Sequence, residues 1–153
     1  MGDQGESRKA SLETRTIPIE PCSNGCGTIP LMRLKVFRLN ESELNEKLLG
    51  SFPELKAEFE NYTSWQDGME TGAFLTYEDV FRPHVEHALT TGDLAFLERA
   101  ANFIERLYLT GDNYAMSVVS VGVLEGLKAN CDDEKVCAFL EPVTRKQFDE
   151  LIY

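Results

Sequence analysis

Positive charge is scarce in this sequence. Fifteen Lys and Arg face 26 Asp and Glu across 153 residues, a net charge of −11 with both His neutral. Bases so few cannot lay down the stripe that neutralises a run of phosphates, which argues against a nucleic-acid partner and for a basic one. Long apolar runs are missing too. The longest uncharged stretch, Asn113 to Leu124, falls short of the roughly 20 residues of a membrane span and is interrupted by Ser117, Ser120 and Gly122. No apolar signal core follows Met1, and the N-myristoylation pattern fails at Glu6. A cytoplasmic protein without membrane contact is expected, its four Cys present as reduced thiols.

Catalytic and metal-binding groups are equally thin. The two His, His84 and His87, flank Val85-Glu86 at a spacing that fits no zinc-protease motif, and no third ligand is indicated. Cys22 and Cys26, and Cys131 and Cys137, offer four thiols without a zinc spacing. No nucleophile, base and orienting group can be assembled, and no glycine loop cradles phosphate. Neither an enzyme, a cofactor nor a metal is expected.

Helical text is what the sequence does contain. Residues 1–31, with four Gly and three Pro, read as a disordered or misannotated tail, and Met32 as the translation start. From there a single domain, residues 32–153, is expected. Asn40 with Glu43 signals a helix start, and Leu44, Leu48, Phe52, Leu55 and Phe59 continue one apolar face through two short helices meeting near Phe52. A loop over Ser64 to Leu75 comes next, then a helix framed by Thr76 and Asp79 with a kink at Pro83. Thr91-Gly92-Asp93 and Thr110-Gly111-Asp112 each place a Gly to end one helix and an Asp to cap the next.

The helices flanking Gly111 predict an antiparallel hairpin, its second arm apolar nearly all round and therefore central. On that arm Gly122 and Gly126 clear one stripe for a close neighbour. Glu125, after a dozen uncharged residues, requires a countercharge if buried, and Arg99 stands at its level across the hairpin. Short helices from Glu134 and Arg145, the latter capped by Thr144 with Gln147, close the domain. With one clear helix pair and no repeat array, the expected architecture is all-α: a single irregular helical bundle around the hairpin.

The acidity is concentrated. Between Glu41 and Asp93 stand twelve acids and three bases, a balance of −9. The loop in this region adds Trp65, a residue type that anchors interfaces or plugs cores. The candidate partner-binding set is Trp65, Asp67, Glu70, Glu78, Asp79 and Glu86.

Phe96-Leu97-Glu98, Phe103-Ile104-Glu105-Arg106-Leu107, Thr110-Gly111-Asp112, Val121-Gly122-Val123-Leu124-Glu125-Gly126-Leu127 and Phe139-Leu140-Glu141-Pro142 together resemble an uncharacterised bacterial family of small acidic helical proteins. Its members resemble immunity proteins encoded beside polymorphic or contact-dependent toxins. The resemblance is closest over the C-terminal half and brings no catalytic residues with it. It implies an immunity-type inhibitor that neutralises a basic cognate toxin, such as a nuclease, through an acidic surface. Two other readings are an intracellular helical adaptor and a small metal-dependent hydrolase using His84 or His87.

Overall fold

Asn40 sets the first helix. In the computed structural model, which describes residues 38–152, its Oδ1 accepts the Glu43 N–H at 2.9 Å while Glu43 Oε2 accepts the Asn40 N–H at 3.0 Å. The result is a closed capping box at the head of α1 (Glu41–Ser51). The expected tail and the Met32 start lie outside the described residues. Helix α1 stops at Phe52, fully buried at φ −131°, and Pro53 opens a 3-10 turn (Pro53–Leu55) into α2 (Lys56–Thr63).

Residues 64–72 link α2 to a rod of three joined pieces: α3 (Ala73–Thr76), a π-helical stretch (Tyr77–Phe81) and α4 (Arg82–Thr91). The rod begins a turn earlier than Thr76 and Asp79 suggest. Gly72 leads into it, and Thr76 Oγ1 donates back to Gly72 O at 3.3 Å from inside the helix. Pro83 has no N–H to continue the ladder. The turn before it widens, with the Arg82 N–H reaching back to Tyr77 O, so the helix runs on through the proline.

Both Thr-Gly-Asp tripeptides work as punctuation. Gly92 and Gly111 sit at φ 76° and 71°, left-handed positions that only glycine occupies without strain. Asp93 Oδ1 then accepts the Phe96 N–H at 3.0 Å to start α5 (Leu94–Leu109), and Asp112 Oδ1 accepts the Ala115 N–H at 2.8 Å to start α6 (Asn113–Val119). A second π-helical stretch (Ser120–Glu125) carries α6 into α7 (Gly126–Asn130). Asp132 caps α8 (Asp133–Phe139), and α9 (Pro142–Glu150) ends the described chain. Helix α9 starts three residues before the expected Thr144 cap. Glu105 of α5 reaches across instead and accepts from the Val143 and Thr144 N–H groups and the Thr144 hydroxyl at 2.8 to 3.0 Å.

The described residues are all helix, turn and connection, with no strand. Helices α5 and α6 pack antiparallel beside the Gly111 turn, and α9 packs on both α5 and the second π stretch. The two π stretches touch each other. Five rings form the centre of the core: Phe52 lies 5.1 to 5.4 Å from Phe81, Phe96 and Phe103, and Tyr77 stacks on Phe103 at 6.1 Å. Tyr77, fully buried, donates its hydroxyl to Leu44 O at 2.8 Å, and burial holds its phenol well above the ordinary range. The cluster ties the end of α1 to the rod and to α5.

Candidate interaction surface

The link between α2 and the rod carries the most exposed aromatic side chain, and its backbone is fixed from below. Asn45, completely buried on α1, gives one amide hydrogen to Met69 O at 2.9 Å and the other to Thr71 O at 2.8 Å. Thr63 Oγ1 donates to Phe59 O at 2.8 Å, Gly68 takes φ 60°, and Met69 packs on the core. Above this base Trp65 is 77% exposed, and Asp67 and Glu70 are exposed with it. Tyr62, three residues before Trp65, donates its hydroxyl to Asp79 Oδ2 at 2.6 Å. Burial and then Asp79 raise the Tyr62 pKa. Trp65, Asp67, Glu70 and Asp79 therefore belong to one end of the molecule.

Glu78 and Glu86 are turned to a different task. The Arg82 side chain, only 18% exposed, lies between them at 3.6 Å from Glu78 and 3.3 Å from Glu86, and Glu86 also accepts from Asn130 Nδ2 at 3.1 Å. Arg82 crosses over Gly126, where a Cβ would fall on its guanidinium. A Cβ at Gly122 would meet Phe74 O and Tyr77 Cβ at 3.4 Å. The two glycines thus lie where the rod crosses the second π stretch, and Glu78 and Glu86 fix the arginine that spans the crossing.

Arg99 does not serve Glu125. The start of α5 packs against the end of α1, and the guanidinium bonds Glu54 Oε1 at 2.5 Å with its carbon 5.2 and 5.4 Å from the Phe52 and Phe96 ring centres. That hydrogen bond holds the Glu54 carboxyl below its usual range.

The two His are not brought together into a site. His84 contacts Val80 O through Nδ1 at 2.9 Å and Glu58 Oε2 through Nε2 at 3.2 Å, while His87 is exposed. Among the described residues no cluster of three His, Cys, Asp or Glu is placed to hold a metal ion. Cys131 and Cys137 are half-buried and burial pushes both thiols up; Cys22 and Cys26 lie outside the described residues. No described helix is long and apolar enough to cross a membrane. Sequence reasoning misses Asn45, although a polar residue beside Leu44 and one turn before Leu48 and Leu49 is the signal for a buried hydrogen-bonding role.

Fold and surface define a small all-α domain that carries an acidic, tryptophan-bearing end on a braced loop. The chain belongs to the DUF7674 family, a domain of unknown function, whose match spans residues 45–153 and so takes in the acidic half as well as the hairpin. No curated protein and no solved structure matches it.

Proposed function

We propose that this protein is an immunity-type inhibitor, which binds a basic toxin through the Trp65 end and blocks the toxin's substrate site. The observation that carries the reading is Trp65 itself, 77% exposed on a loop whose carbonyls are tied to a buried Asn45. A large side chain held in water on an ordered base loses little entropy on docking and is the residue type that dominates interface energetics. Asp67, Glu70 and Asp79 surround it with negative charge, which speeds encounter with a basic surface and stands in for phosphate at a nuclease site. The protein then acts by occupancy, without catalysis.

The test uses the purified basic C-terminal domain of a toxin encoded beside this gene. Association is expected to slow steeply between about 50 and 500 mM salt, and Trp65→Ala to weaken binding by roughly 30-fold, the loss of one interface anchor. Binding that ignores both salt and Trp65 overturns the proposal. So does an affinity capture that retains many unrelated proteins in place of one, as an adaptor would.

A further inference from the structure

The scarce bases are unevenly used. Among the described residues Lys56, Arg82, Arg99, Lys128 and Lys146 each pair with a carboxylate, whereas Lys47 and Arg106 have no such partner. These two line one groove between the end of α1 and the exposed face of α5, with Phe103 and Leu107 along its floor. Its adjoining parts measure about 350 and 520 Å³, share Gly50, Ser51 and Arg106, and bring in Arg99 at the far end. A cationic groove in a chain of net charge −11 runs against the rest of the molecule. The flanking acids Glu43 and Glu46 line a separate depression with Lys47 and Leu39.

Gly50 supplies an independent observation. It lies inside α1, it is exposed, and a Cβ there would meet nothing within 4 Å. Packing therefore gives no reason for a glycine, which weakens a helix relative to alanine. What its missing side chain does is leave the groove wall flat, so that another backbone can lie against it.

We propose that this groove binds an extended acidic peptide segment of a partner protein, with Lys47 and Arg106 holding carboxylates, Gly50 admitting the peptide backbone and Phe103 and Leu107 receiving an apolar side chain. A long polyanion such as nucleic acid is disfavoured by the field of the whole chain, whereas a short segment with one or two carboxylates matches the cations present.

Fluorescence anisotropy of the full chain with a labelled heptapeptide alternating glutamate and leucine tests this. Saturable binding is expected, absent for a lysine and leucine peptide and weakened at least roughly 10-fold by the double charge reversal Lys47→Glu, Arg106→Glu. Gly50→Leu keeps or raises the melting temperature while weakening the peptide by about the same factor. The proposal falls if the acidic peptide does not bind at millimolar concentration, or if the double reversal leaves its affinity unchanged. It also falls if inorganic phosphate at equal concentration displaces the peptide fully, which marks a simple anion site.

Discussion

Replacing Asn45 by Leu tests what holds the Trp65 loop. The two side chains are nearly equal in size, so the change leaves no cavity but removes both donors, stranding Met69 O and Thr71 O. A buried carbonyl left without a partner costs about 1–3 kcal/mol. Thr71 O is enclosed and warrants the upper part of that range, while Met69 O lies nearer solvent and warrants the lower. Against this, Asn45 Oδ1 is itself buried without a hydrogen bond, and the substitution relieves it. The net loss is about 2–3 kcal/mol, which for a domain of this size lowers the melting temperature by roughly 8–12 °C. Thermal unfolding of the full chain followed by far-ultraviolet circular dichroism measures it, with Trp65 fluorescence as a local probe. A loss below about 1 kcal/mol refutes the account, because the loop then draws its order from elsewhere. An unchanged Trp65 signal in a destabilised variant does so as well.

Two further outcomes rest on named contacts. Glu105→Ala removes the acceptor for three donors at the head of α9 and is expected to lower stability by about 1–3 kcal/mol, read by urea denaturation, with Glu105→Gln recovering part of it. Because Arg99 depresses the Glu54 pKa, the pair stabilises the fold above the unfolded carboxylate value near 4.5 and loses that contribution as pH falls through the folded one. Both side chains are more than 40% exposed, so the effect is below about 1 kcal/mol; Glu54→Gln should flatten the acid limb of a stability profile by that amount and leave pH 7 to 8 parallel to wild type.

What could be read from the sequence was chemistry that acts within a few residues. Asn40 and Glu43, Gly92 and Asp93, and Gly111 and Asp112 satisfy backbone groups three residues away or set a single φ angle, so residue type and spacing suffice. Relations across the fold were hidden. Matching Arg99 to Glu125 assumes two straight antiparallel helices, but the start of α5 lies on the end of α1 and offers Glu54 first. The Thr144 cap fails for a similar reason, since Glu105 is 39 residues from the amide it receives. The acidic set divides because charge counting cannot see Arg82, a single base that claims Glu78 and Glu86. Trp65 could have been core or surface on composition; its place depends on a loop whose base is fixed by Asn45, 20 residues earlier.

The facing π stretches also bear on how this chain can change in length. Each adjacent residue in a helix is turned by about 100°, so deleting one from Tyr77–Phe81 would restore an ordinary α-helical repeat and rotate everything after it by that angle. Arg82 would swing off Gly126 and lose Glu78 and Glu86 from reach, and Val85 and Ala88, now buried, would turn towards water. Substitutions within the rod are therefore local events. A change of length there is a change of the whole interface between the rod and α7, and the widened turns act as the molecule's register marks.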